Sequence, residues 1–147
     1  MKVIIGCDHA GVQFKHDVME TLRQRGHECI DCGVYDEKAA DYPDIAEKIA
    51  KEVLAQGVFG IVICGTGVGI SISANKIAGI RAALCHNEFT ARMSRMHNDA
   101  NVLALGARVL GPSLAGAIAL AFLETEFEGG RHQQRVDKIT ALERKGR

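Results

Sequence analysis

What most constrains this chain is the alternation of short apolar runs with longer helical stripes. The runs are Val3-Ile4-Ile5, Cys29-Ile30, Gly60-Ile61-Val62-Ile63, Arg81-Ala82-Ala83-Leu84 and Asn101-Val102-Leu103-Ala104-Leu105. Between them, Phe14, Val18 and Leu22 share one helical face that ends before Gly26, and Ile45, Ile49 and Val53 share another that ends before Gly57. Pro43 and Asp44 suit the first turn of that second helix. Leu114, Ala117, Ile118, Ala121 and Phe122 mark a helix opened by Pro112. Val136, Ile139 and Leu142 give a last helix after Gly129-Gly130 only a thin apolar stripe, which calls for a partner surface. Such alternation predicts an α/β fold: a three-layer α/β/α, Rossmann-like sandwich around a five-stranded parallel sheet. Of the two common doubly wound orders, five strands fit 2-1-3-4-5. Ligands in open sheets of this kind bind beyond the strands' carboxyl ends at the switch point between strands one and three. Asp8-His9 and Cys64-Gly65-Thr66-Gly67 fall there.

At 147 residues and 47% hydrophobic, residues 1–147 suit one domain with one core. Lysine plus arginine (18) equals aspartate plus glutamate (18), so the whole-chain charge offers no attraction for nucleic acid or anionic membrane. Any anion site must be local. The opening apolar run stops at Cys7 and Asp8, far below signal-peptide or membrane-spanning length, and a cytoplasmic protein is expected. Five cysteines, an odd number, argue for a reducing compartment over a disulfide framework. Cys29 and Cys32 have CxxC spacing but no second ligand pair to complete a zinc site.

The segment Cys64-Gly65-Thr66-Gly67-Val68-Gly69 follows a buried strand and opens a helix, where free N–H groups and the helix dipole favour an anion. A thiol there has its thiolate stabilised, so Cys64 is a candidate base or nucleophile; the alternative is an apolar cysteine at a strand end. Sharper motifs fail. The first strand leads into Cys7-Asp8-His9-Ala10-Gly11, not GxGxxG, and no Gly-Lys-Ser/Thr loop is present. Ile70 stands where a cysteine phosphatase wants arginine. Neither HExxH nor paired Cys-His spacing marks a metal site, and none is expected. His9 beside Asp8 and His97 beside Asn98 are candidate proton shuttles, while His16, His27 and His86 lack such company. Arg131 and Arg135, four apart at a helix start, suit a phosphate dianion or simply form a solvated basic end.

These segments, with Asp41-Tyr42-Pro43, Arg95-Met96-His97-Asn98-Asp99-Ala100-Asn101-Val102 and Glu128-Gly129-Gly130-Arg131-His132-Gln133-Gln134-Arg135, carry a resemblance that runs essentially end to end. The chain resembles the sugar-phosphate isomerase family that holds ribose-5-phosphate isomerase B and the allose-6-phosphate and galactose-6-phosphate isomerases. Some members carry a carboxylate base elsewhere; keeping Cys64, this chain is similar to the cysteine branch. The resemblance implies an aldose-ketose isomerase without cofactor or metal, in which Cys64 moves a proton between C2 and C1. Gly65, Gly67 and Gly69 would present N–H groups to the enediolate. Residue reading alone puts the phosphate in that turn; the resemblance puts it on Arg131 and Arg135, helped by His9 and Arg108. His97, supported by Asp8 and Thr66, would open the furanose ring, and Tyr42 and Asn98 would orient hydroxyls. Two alternatives stay open: a hexose-6-phosphate isomerase, and a module that binds a phosphorylated metabolite without turning it over.

Sheet direction adds one expectation. Cys64 ends strand three, whereas His97 and Asn98 precede strand five, so within one chain they should lie at opposite edges of the sheet. If both act on one sugar, His97 comes from a neighbouring copy. A homodimer with shared sites, in turn able to pair into a tetramer, is the expected assembly.

Overall fold

The computed structural model describes residues 1–146 and forms each expected strand and helix. The strands are β1 (Lys2–Cys7), β2 (Glu28–Asp31), β3 (Phe59–Cys64), β4 (Ala82–Leu84) and β5 (Val102–Gly106). The helices are α1 (Val12–Gln24), α2 (Tyr42–Gln56), α3 (Val68–Ala74), α4 (Glu88–Asn98), α5 (Pro112–Leu123) and α6 (Arg131–Lys145), with a short 3-10 turn at His9–Gly11 before α1. Gly57 closes α2 in the left-handed region (φ 64°), its N–H bonded to the Val53 carbonyl. None of these helices is long and apolar enough to cross a membrane.

All five strands are parallel, but their order is β2-β1-β3-β5-β4, which corrects the expected 2-1-3-4-5. β5 sits beside β3, and β4 is the edge. The reason lies in what each strand has to hide. Every residue of β5 is buried, whereas the three residues of β4 are only half-buried. An edge position would expose Val102, Leu103 and Leu105, at about 1.5–3 kcal/mol for each large apolar side chain. A three-residue strand leaves little unpaired backbone at an edge. Arg81, expected at the head of this strand, instead turns aside to the Asn98 and Asp99 carbonyls.

Alternate residues of each strand supply two cores. Val3, Ile5, Ile61, Ile63, Leu103 and Leu105 face α1, α4 and α5, while Ile4, Val62, Cys64, Val102 and Ala104 face α2 and α3. The α5 stripe differs from expectation. Leu114 and Ala117 are exposed, and Ala115, Ile118, Ala119 and Phe122 are buried. A helix apolar nearly all round gives periodicity nothing to choose by. α6 buries His132 and Val136 but leaves Ile139 and Leu142 at 39% and 62% exposure, so its apolar side is uncovered within one chain.

Candidate active site

Neighbouring strands β1 and β3 bring two polar turns together at the carboxyl edge. After β1, the Asp8 N–H donates to the Ile63 carbonyl (3.0 Å), and the buried Asp8 carboxylate accepts from the Ala10 N–H (2.9 Å). His9 Nδ1 accepts from the Ala40 N–H at 3.2 Å, so the neutral ring carries its proton on Nε2 and offers a donor there. The loop that brings Ala40 is anchored by a fully buried lysine: Lys15 Nζ donates to Asp31 Oδ1 (2.6 Å) and the Val34 carbonyl (2.8 Å). Sequence reading missed this anchor, because a lysine beside an apolar helical stripe looks like an ordinary surface residue.

After β3, Gly67 takes a left-handed φ of 79° and donates its N–H to Cys64 Sγ at 3.1 Å. This hydrogen bond is one that charge on the sulfur would strengthen. It gives Gly67 a different use from the expected one toward substrate. A Cβ at Gly67 would also fall 2.6 Å from Leu84 and 2.9 Å from the Leu105 backbone. The loop after β5 is bonded to the turn, Ala107 N–H to the Cys64 carbonyl and Arg108 N–H to the Gly65 carbonyl (both 2.9 Å). The Arg108 guanidinium therefore lies over Gly65, and the Tyr42 ring lies over Gly69, where a Cβ would meet it at 2.6 Å.

The result is a cleft of about 480 Å³ lined by Asp8, His9, Ala10, Tyr42, Cys64, Gly65, Thr66, Val68, Gly69 and Arg108. Size alone does not select it. A hollow of equal volume at the amino edge, lined in part by Lys2, Leu54, Phe59 and Arg81, contains neither thiol nor imidazole. Burial pushes Cys7 up to about 11 and raises Cys29, Cys32 and Cys85, keeping these four as thiols at neutral pH. Cys29 and Cys32 face opposite cores, so their CxxC spacing does not make a ligand pair.

His97, Asn98, Arg131 and Arg135 are not in this cleft. α4 is capped by Asp99, left-handed at φ 47° and paired with Arg95 (2.8 Å) and Arg81 (3.4 Å). Val102, which follows, pairs with Gly60, while Cys64 pairs with Gly106. The two positions are four residues apart along the strands, roughly 13 Å at about 3.3 Å per residue. On that side the His97 ring stacks on His132 (4.2 Å between centroids, 14° between planes), and Glu128 Oε2 lies 4.0 and 3.8 Å from their Nε2 atoms. Burial first, then the nearby charges of His97 and Arg131, lower the His132 pKa. Arg131 and Arg135 are exposed, with no salt bridge among the described residues.

Residues 3–139 match the family described as Ribose/Galactose Isomerase. The chain is 52% identical over 145 residues to ribose-5-phosphate isomerase B of Escherichia coli, covering 98% of this chain and 97% of that protein. It is 42% identical over 142 residues to a D-erythrulose-4-phosphate isomerase of Pectobacterium atrosepticum, covering 95% and 93%. Among solved structures, ribose-5-phosphate isomerase B of Clostridium thermocellum superposes with a TM-score of 0.96 at 52% identity, covering all of both chains.

Proposed function

The chain belongs to the ribose/galactose isomerase family, and from that premise we propose that it interconverts ribose 5-phosphate and ribulose 5-phosphate with Cys64 as the base. The observation that supports this most is the Cys64 sulfur at the head of a glycine turn, with a backbone N–H aimed at it and a cleft of proton-carrying groups around it. In the open-chain aldose the Cys64 thiolate takes the C2 proton and returns it to C1, while the O2 proton passes to O1. The N–H groups of Gly65 and Gly69 face charge that develops on the enediolate oxygen only during reaction. Gly67 supports the sulfur itself. Tyr42 orients hydroxyls, and His9 and Arg108 meet the phosphate from the Cys64 side.

The remaining groups come from a second copy in a two-fold dimer. His97 of the partner subunit, with Asp8 and Thr66 opposite, opens the furanose ring by moving the anomeric proton off O1 and another onto the ring oxygen. Asn98 of the partner subunit orients hydroxyls, and Arg131 and Arg135 of the partner subunit clamp the phosphate. The uncovered apolar side of α6 suits such an assembly. Residues 1–147 act as one catalytic domain, and five unpaired thiols suit the reducing cytoplasm.

The test is turnover of ribose 5-phosphate against allose 6-phosphate by purified protein, with solvent deuterium followed into C2 and C1. Cys64→Ala should lose at least about 10²- to 10⁴-fold in exchange while binding ribose 5-phosphate nearly as before. Retention of most kcat would remove Cys64 as the base. Faster turnover of allose 6-phosphate would move the substrate to a hexose phosphate.

A further inference from the structure

We propose that His97, Glu128 and His132 form a site for one divalent transition-metal ion of the zinc type. Their three donor atoms already lie within 4.8 Å of one another. The independent observation is His132: the residue is only 6% exposed, yet its Nε2 has no hydrogen-bond partner and lies 3.8 Å from Glu128 Oε2. A buried ring nitrogen left unpaired forfeits a bond that an ion would restore. Backbone bonds hold the pieces together, Glu128 N–H to the Met96 carbonyl (3.1 Å) and His132 N–H to the Gly129 carbonyl (2.9 Å).

Two imidazoles and one carboxylate suit zinc or cobalt and disfavour magnesium or calcium, which take oxygen ligands. With Zn–N bonds of about 2.0–2.1 Å, tetrahedral donors stand roughly 3.3 Å apart, so the present cluster has to close. The stacked rings, 14° from parallel, do not aim their lone pairs at one point. His97 has the freedom to turn: its side chain is 37% exposed and makes no hydrogen bond among the described residues, whereas His132 is packed in place. Glu128, half-exposed, can follow. Three protein ligands leave a fourth position to water. Such an ion is no part of the isomerase chemistry. Resting on the assignment of His97 to ring opening, it inhibits by taking that imidazole away.

The experiment titrates cobalt(II) into the intact protein and reads its visible absorption. The expected result is one ion per chain, with the ligand-field bands of low-coordinate cobalt, no sulfur-to-cobalt charge-transfer band, and displacement by zinc. Glu128→Gln, a change at an exposed residue, and His132→Asn, checked for folding by circular dichroism, should each weaken binding by more than about tenfold, the scale on which even outer partners of metal ligands act. Cys64→Ala should bind as wild type does. Unchanged affinity in both site variants, a sulfur band, or loss of binding in Cys64→Ala would overturn the site. Bound cobalt with undiminished ribose 5-phosphate turnover would uphold the site and remove His97 from ring opening.

Discussion

The two ends of this sheet hold their candidate site residues in opposite ways. At the carboxyl edge each is tied to backbone: Gly67 N–H to Cys64 Sγ, Ala40 N–H to His9, Ala10 N–H to Asp8, and Arg108 over Gly65 through its own N–H. On the α4 and α6 side, Arg131 and Arg135 stand exposed, and His132 is buried with its Nε2 unpaired. Strand ends and glycine turns fix geometry through short, directional bonds that one chain completes by itself. Arg131 and Arg135, on the outer face of α6, have no salt-bridge partner among the described residues. The first set is therefore held in place by its own chain and the second is not, the contrast that the proposed division of the site between two copies predicts.

The largest expected effect tests that division directly. Cys64→Ala and His97→Ala homodimers should each be nearly inactive. Unfolded together and refolded, about half the dimers are mixed, each with one intact site, so activity should return to roughly a quarter of wild type by two-fold symmetry. No recovery, with heterodimers confirmed by mass, would put both residues in one site of one chain and break the comparison.

A smaller effect sharpens the other side. If Arg135 clamps the phosphate as proposed, Arg135→Ala should cost a charge-assisted bond of about 1.5–3 kcal/mol and lower affinity for ribose 5-phosphate roughly 10- to 150-fold, with little change for unphosphorylated ribose. Calorimetric titration of both ligands measures it, and equal weakening of the two would make Arg135 a structural residue.

The smallest effect belongs to the preorganised side, where Cys7 ends the strand next to that of Cys64. Burial raises its pKa from 9.0 to about 11. Between those values the unfolded chain releases a proton that the native chain keeps, so the contribution is complete below pH 9 and fades as pH rises toward 11. Urea midpoints from pH 8 to 11 should fall for wild type and fall less for Cys7→Ala. Parallel curves would show that the alkaline loss arises elsewhere.

The sequence by itself determined the elements, the parallel sheet and the two turns at its switch point, because apolar periodicity and glycine placement are local signals. Asp8-His9 and the Cys64 to Gly69 turn were legible in this way, as was the edge on which His97 stands. The thin stripe of α6 announced the surface that remains uncovered. Tertiary structure alone decided that β5 and not β4 lies beside β3, since that choice compares burial between strands about twenty residues apart. It also decided that Lys15 holds the loop behind His9 and that the Arg108 loop is bonded to the Cys64 turn. Both contacts depend on which groups of distant segments come within about 3 Å of one another, a distance set by packing and absent from any local pattern.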